Sequence, residues 1–532
     1  MLEDLESTAL AMQGSESLQL DDDVELDNNS LLSTWFEKNP KYQKLLHAPI
    51  LVSTIDHLIP ATESLRGGYH QCMVADNQQP PIVCAWFDEF LTQSIFTHNH
   101  DDFIRQHKNF VDKRINKLAE DNAPTRKAKI VPIIKPMIEP ILSKQTALDL
   151  LTLTIHKTIF SAHTNHHQSN GKYDISFGVV RFANINPLVA VTQALIKHNN
   201  HDDCCVHYCV YHSQFTLAKR SMIEEKLDRL VNRKQPNTIW QQSEIIETIK
   251  RQPNSKNHIF VVLATSVCEV GRDHDYDWAI AEPSSMRSLI QLAGRLQRHR
   301  KQPVNDENLF ILDKNYKMLK GNRIVYEKPG FESQKYHLDG NKSITHTLKT
   351  EQYQHINSIP SIQLIRPSQP PYDNLVALEQ SAYWYKLVGD WQKGQPFEPN
   401  NAKIWWNQKV TWTGEVQRQQ PFRLSSPEKT FILAPNSQGN LTWLIRDDSN
   451  YPYIKLIESQ HILNYNEIKF SKDNFSWFNT DEKTRYQQIA ERLGVEVEKI
   501  PNIYGEVTVP YHKNSNKQYY YHPFLGIFSE LE

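Results

Sequence analysis

HIFVVLATSVCEVGRDHDYDWAIAEPSSMRSLIQLAGRLQRHR, residues 258–300, decides how the rest of the chain is read. Residues 259–264 are an unbroken apolar run, as expected of a strand buried on both faces of a parallel sheet. The run opens into a polar loop, 265–273, at the position where open α/β sheets bind ligands. After Pro283, Ser284 or Ser285 can cap a helix whose Met286, Leu289, Ile290, Ala293 and Leu296 recur at helical spacing. Gln291, Arg295 and Arg298, at i, i+4 and i+7, are expected to share the opposite face. Two arginines and a glutamine in one row suit a phosphate chain, since the guanidinium fork matches phosphate oxygens. A solvated charged face is the plain alternative. The buried strand and polar loop just upstream favour the phosphate reading.

Upstream, strand and helix patterns alternate. Residues 175–182 read as a strand, 187–197 as a helix opened by Pro187, 205–211 as a strand and 216–232 as a helix. Strands at 259–264 and 277–281 follow. Repeated strand–helix units with apolar strands predict an α/β fold, a parallel sheet covered by helices on both faces.

Composition bounds the function classes. A chain of 532 residues is long enough for two to four domains. Its formal net charge of -2 gives no global basic field, so nucleic-acid binding requires a local channel. Six cysteines over this length do not make a disulfide framework, and with no signal peptide the expected setting is the reducing cytoplasm. No segment reaches the roughly 20 apolar residues that span a bilayer, so no membrane association is expected.

The flanks are less uniform. Residues 1–30 carry nine acids and no base, the pattern of a solvated segment. Residues 49–54 read as a short buried strand and Arg66-Gly67-Gly68 as a loop. The apolar run 81–87 ends in Asp88-Glu89, but Phe90 and Leu91 continue it, which argues against a metal-binding carboxylate pair. Residues 103–118 read as an amphipathic helix. His201, Cys204, Cys205, His207, Cys209 and His212 offer metal-ligand types, yet no C-x-x-C pair starts a tetrahedral site, and alternate residues of this strand point to opposite faces. They are read as core residues. Past Gln302, residues 316–350 are polar and 366–372 (RPSQPPY) resemble a linker. The remainder contains Trp384, Trp391, Trp405, Trp406, Trp412, Trp443 and Trp477, read as the core of an accessory α+β domain rather than as base-stacking platforms. Thr480 is the expected cap of a last helix that Gly494 stops.

ATSVCEVGRD (264–273) and QLAGRLQRHR (291–300) resemble motifs V and VI of superfamily 2 helicases. The wider wording resembles the type I-F (YPEST) CRISPR-associated helicase-nuclease. HAPILVSTIDHLIPATESLRGG (47–68), PIVCAWFDEF (81–90), ISFGVVRFANINPL (175–188), CVYHSQF (209–215) and YHPFLGIF (521–528) extend the likeness collinearly. The resemblance implies a RecA-like motor loaded by a CRISPR surveillance complex onto displaced DNA. Such a motor hydrolyses ATP with Mg²⁺ and feeds single-stranded DNA to an HD nuclease. It implies that Arg295 and Arg298 neutralise charge developing on the γ-phosphate. Gln291, with Gly271 and Asp273, would bind the nucleotide, and Thr265 and Thr54 would contact the DNA backbone.

The departures are as informative. No G-x-x-x-x-G-K-[ST] occurs; the nearest imitation, Gly340-Asn341-Lys342-Ser343, lacks the second glycine and an upstream strand. Gly68 runs through 69–79 into the 81–90 segment without the family's acidic box. The expected organisation is therefore an acidic segment at 1–30, a partial first RecA-like domain with a family insertion at 31–160, and a complete second RecA-like domain at 161–315. A linker at 316–372 and a C-terminal accessory domain at 373–532 follow. The nuclease and the β-phosphate cradle would lie upstream, on another polypeptide, so that the chain is not expected to hydrolyse ATP alone. The competing expectation is a non-catalytic module that binds DNA or the surveillance complex.

Overall fold

Seven parallel strands form the main sheet: β1 (Ala128–Val131), β2 (Asp174–Arg181), β3 (Cys204–Tyr211), β4 (Asn257–Ala264), β5 (Trp278–Ala281), β6 (Leu309–Leu312) and β7 (Asn474–Ser476). Their order across the sheet is β7-β3-β4-β2-β5-β6-β1, and a two-residue strand, Gln168–Ser169, pairs antiparallel with β2. The computed structural model describes residues 82–87, 92–97, 100–120, 124–134, 142–200, 203–235, 238–269, 272–327, 331–334, 336–363, 372–388, 427–447, 455–465, 468–479, 481–511 and 517–531. The expected strand 49–54 and the acidic segment 1–30 lie outside these.

The alternation expected from the sequence is the alternation observed. Every residue of β2 is buried, as are seven of the eight in β4, so these strands carry no polar face to water. Helices α1 (Lys144–His166), α2 (Ile185–Leu195), α3 (Leu217–Leu230) and α4 (Ser243–Lys250) accompany them. Thr216 caps α3 by accepting from the Lys219 amide. Helix α5 (Met286–Ala293) follows β5, capped by Ser285, whose side chain accepts from the Ser288 amide.

The sheet reaches beyond the span 161–315. Strand β1 joins its far edge beside β6, and β7, from the C-terminal region, pairs with β3 at the other edge. Asn474 fixes β7: its Nδ2 lies 2.9 to 3.1 Å from the carbonyls of Leu195, Ile196 and His198. Its Oδ1 accepts from Asn200 Nδ2 at 2.8 Å. Residues 316–372 are not an open connection where they are described. Tyr326, Leu338, Ile344 and Tyr372 are buried in the same core as the sheet. The segment's few apolar residues are enough to pack it down, which its polar composition hides. Helix α6 (Leu375–Val388) then packs near α5.

The C-terminal region adds a four-stranded antiparallel sheet, ordered Lys455–Glu458, Leu441–Asp447, Glu428–Pro435, Glu506–Pro510, and a three-stranded one. Trp443 is in the core of this region, as expected, packing on Tyr521, whereas Trp477 lies in the core of the main sheet, against Phe177 and Phe260 and stacked with Phe478. The side chains of Trp384, Trp391, Trp405, Trp406 and Trp412 lie outside the described residues. Helix α7 (Glu482–Leu493) is capped by Asp481, whose Oδ1 accepts from the Thr484 amide; Thr480, the expected cap, lies outside the described residues. Gly494, at φ 65°, ends α7 in the left-handed conformation that glycine adopts without strain. An antiparallel hairpin, Ile82–Phe87 with Thr92–Thr97, and a helix, His100–Ala119, precede β1.

One close approach sets the spacing of the sheet's centre. A methyl group on Gly178 of β2 would overlap the indole of Trp278 on the neighbouring β5, and that indole is fully buried. Gly178→Ala is expected to lower stability by about 1–3 kcal/mol through overpacking, read as a fall in melting temperature. Adding Trp278→Leu should recover part of the loss; a neutral Gly178→Ala would show that the indole is not pinned there.

Candidate functional site

The loop leaving β4 begins at Thr265, whose amide donates to the Tyr211 carbonyl, and a 3-10 turn, Ser266–Cys268, carries it to Glu269. Glu269 turns inward. Its Oε1 accepts from Arg181 Nε at 2.6 Å, with both side chains nearly inaccessible. Arg181 ends β2, and its remaining nitrogens reach the Glu282 carbonyl and Ser288 Oγ of α5 at 3.2 and 3.1 Å. Burial pushes the Glu269 carboxyl up, while the charge and hydrogen bond of Arg181 oppose that shift. The backbone carbonyl of Glu269 accepts from Arg295 Nε and Nη2 at 3.1 and 2.5 Å, and Arg295 Nη1 donates to the Arg272 carbonyl. Arg295 therefore staples the loop from beneath.

Arg298 has a different posture. Its Nε donates to Asp273 Oδ1 at 2.8 Å, and about two fifths of each side chain is exposed. Lys234 approaches the other carboxylate oxygen of Asp273 at 2.7 Å, and His299 lies 3.1 Å from Oδ1. The Lys234 hydrogen bond first, then Arg298, holds the Asp273 carboxyl far below the usual carboxylate range. Arg300 is structural: it pairs with Asp275 and Asp277, both at 2.6 Å, and Arg233 joins Asp277 at 2.7 Å. Arg272 spans Glu224 and Asp228 on α3.

The expected helical row of Gln291, Arg295 and Arg298 is not formed. Helix α5 ends at Ala293 and Gly294, and the chain then bends so that Leu296 bridges Tyr276 alongside β5. Gln297, at φ 48°, takes a left-handed conformation that costs a non-glycine residue on the order of 1 kcal/mol, and this kink separates Arg298 from Arg295. Burial of Leu296 against the core overrides the helical spacing of 286–296. Gln291 stays on α5, partly buried. Thr265 is buried at the strand exit. Thr54 and Gly271 lie outside the described residues. The sequence reading had no role for Arg181, Glu269, Lys234 or Arg272. Each acts through a partner dozens of residues away, and nothing local marks such a pairing.

A cleft of about 500 Å³ opens near the exits of β2, β3 and β6. Asn184, Tyr316, Lys317, Lys320, Tyr511 and Lys517 are among its walls. Asn184 caps α2 without a side-chain hydrogen bond, and the Tyr316 hydroxyl is buried with no partner in the structure. Lys317 is paired with Glu327, also on the wall, while the amides of a helix start, Lys320, Lys517 and an unsatisfied hydroxyl together favour an anionic group. Among the cysteines and histidines, His207 stacks on His258 with a 3.1 Å hydrogen bond, and His212 donates to the Leu525 carbonyl. Among the described residues no group of three or more His, Cys, Asp or Glu is placed to hold a metal ion.

Residues 174–301 match the family model described as CRISPR-associated nuclease/helicase Cas3, C-terminal. The Cas3 subtype I-F/YPEST nuclease/helicase of Pectobacterium atrosepticum is 34% identical over 588 residues, covering 96% of this chain and 52% of that protein. The chain is homologous to subtype I-F Cas3 over nearly its whole length. The corresponding Pseudomonas aeruginosa protein is 29% identical and covers 93% of this chain. The chain spans about half the length of these Cas3 relatives. Among solved structures, T. fusca Cas3 with AMPPNP aligns at a TM-score of 0.36 and 13% identity, covering 76% of this chain and 42% of that one, too loose a likeness to bear on the site. The motif residues quoted from the sequence, 264–273 and 291–300, fall inside the Cas3 C-terminal match.

The Arg181–Glu269 pair yields a direct prediction. Glu269→Gln leaves a buried guanidinium without its counter-charge, and losing one partner of a buried pair costs about 3–5 kcal/mol. Denaturant unfolding should show that loss, whereas Asp273→Asn, at a half-exposed pair, should cost under about 1 kcal/mol. Equal costs would contradict the assignment of Glu269 as the buried anchor.

Proposed function

We propose that this chain supplies the arginine-bearing half of the ATPase site, and part of the single-stranded DNA channel, of a CRISPR-associated ATP-dependent helicase. The observation that carries the reading is the posture of Arg298. It pairs with Asp273, on the stretch that enters β5, tethered through Nε alone and with its side chain open to solvent. A guanidinium held this way can swing its outer nitrogens onto a phosphate with little reorganisation, which is what stabilising charge on a transferring phosphoryl group requires. Arg295 serves differently: with its guanidinium bonded to the backbone carbonyls of Glu269 and Arg272, it holds the loop that bears Thr265, Gly271 and Asp273. Gln291, on α5, completes the nucleotide-facing set.

The β-phosphate cradle comes from elsewhere, because the sequence holds no G-x-x-x-x-G-K-[ST]. Magnesium is read as held with that cradle. The nucleic acid is read as lying along the basic cleft at Lys317, Lys320 and Lys517, with Thr54 and Thr265 as further backbone contacts. On this reading the chain is recruited by a CRISPR surveillance complex and works in the cytoplasm. No described helix is long and apolar enough to cross a membrane. On this reading residues 174–301 belong to a second RecA-like domain, with a C-terminal accessory domain behind it.

The alternative, a non-catalytic DNA-binding module, is favoured by the missing phosphate-binding motif. ATP hydrolysis with single-stranded DNA separates the two. The chain alone should be inactive, and mixing it with a polypeptide carrying the phosphate-binding loop should restore turnover. DNA binding without turnover in the mixture would leave only the alternative. In the active mixture, Arg298→Ala should lower kcat by about 10³-fold or more while DNA affinity is unchanged. Unaltered turnover would retire Arg298 from this role. Replacing Lys317 and Lys320 by alanine should weaken DNA binding and reduce its salt slope by about two phosphates' worth; an unchanged slope would place the strand elsewhere.

A further inference from the structure

Helix α5, which leads into the arginine segment, is capped by a side chain from far along the chain. Glu379 on α6 is almost wholly buried, and its two carboxylate oxygens accept from the amides of Met286 and Arg287 at the start of α5. These are among the amides a helix leaves without internal partners. Ser285 caps α5 as well, but through the Ser288 amide, so the two caps do not duplicate one another. A second tether lies one turn along α6. Tyr383 accepts a hydrogen bond from Arg287 Nη1, and the guanidinium sits 4.6 Å over its ring.

The other end of α5 is bound just as firmly. The Arg295 amide donates to the Leu292 carbonyl and the Leu296 amide to that of Ala293, so the arginine segment continues the helix end without slack. Leu296 is fully buried, and the segment is bonded to Tyr276 on both sides of it. Helix α5 is eight residues long, so a shift at its start is carried over about 12 Å to the segment that follows it. Burial pushes the Glu379 carboxyl up to about 7, against the pull of the two amides and of Arg287. An acid kept buried at that cost has a demanding structural partner, and the partner here is the start of α5.

We infer that Glu379 is a positioning residue for the arginine segment: through α5, helix α6 sets where Arg295 and Arg298 stand. This rests on the reading of Arg298 as the phosphate-facing group for its catalytic meaning, but not for its structural content.

Amide hydrogen exchange on the full chain tests it. Glu379→Gln keeps the shape and one acceptor but turns an NH₂ group toward an amide that needs an acceptor. Exchange is expected to quicken about five- to thirtyfold both at Met286 and Arg287 and across 294–300, while the amides of β2 and β4 keep their protection. No change at 286–287, or a change confined there with 294–300 untouched, overturns the inference. If Glu379→Gln does not melt cooperatively, Tyr383→Phe, which removes one hydroxyl, should give the same two-site pattern at smaller size; silence at 294–300 overturns it equally. In the reconstituted mixture Glu379→Gln should lower kcat with little change in KM for ATP. Altered exchange with unaltered kcat would leave the positioning role standing and retire the arginine-finger reading instead.

Discussion

The site hangs on one buried carboxylate. Glu269 receives Arg181 from the end of β2 through its side chain and Arg295 from beyond α5 through its carbonyl, so a single residue joins strand, loop and helix exit. A buried ion pair contributes little net stability in itself, because desolvation offsets attraction. What it does supply is geometry. Arg181 has three further or shared bonds, to Glu282 and Ser288 as well as Glu269, and any other position for the loop would strand one of these charges in the core. The loop at the mouth of β4 is held in one shape by the cost of every alternative.

Around that anchor the charges follow a register. Asp273, Asp275 and Asp277 alternate along an extended stretch entering β5, and the basic residues two apart on the returning segment meet them in turn: Arg298 with Asp273, Arg300 with Asp275 and Asp277. The inner pairs are buried and completed by Arg233; the outer one opens to solvent. The same pattern thus runs from structural to available within a few residues. The available end is the one that pairs with Asp273, where the segment leaving β4 turns to enter β5.

Much of this was legible in the sequence. The buried strands announce themselves as apolar runs, and Ser284 or Ser285 reads as a helix cap, of which the structure uses Ser285. The candidate phosphate-facing residues are readable as a motif, but their arrangement is not. Leu296 continues the helical spacing of Met286, Leu289 and Ala293, and only its pairing with Tyr276 shows that the helix has already ended. Edge strands were hidden for a related reason. β7 is three residues long and pairs with β3 across more than 260 positions, held by Asn474, whose polar side chain gives no hint of a core role. Glu379 and Glu269 look like surface acids until their partners are known. In each case the missing information is long-range contact, which periodicity and local propensity do not contain.

The central claim is that Arg298 is the group that meets the nucleotide. A structure of this chain assembled with a polypeptide carrying the phosphate-binding loop and a non-hydrolysable ATP analogue measures it directly. The account predicts that an outer guanidinium nitrogen of Arg298 lies within hydrogen-bond distance of a γ-phosphate oxygen, with Arg295 still on the Glu269 carbonyl. Arg298 remaining closed on Asp273, with the phosphates facing other residues, would contradict it.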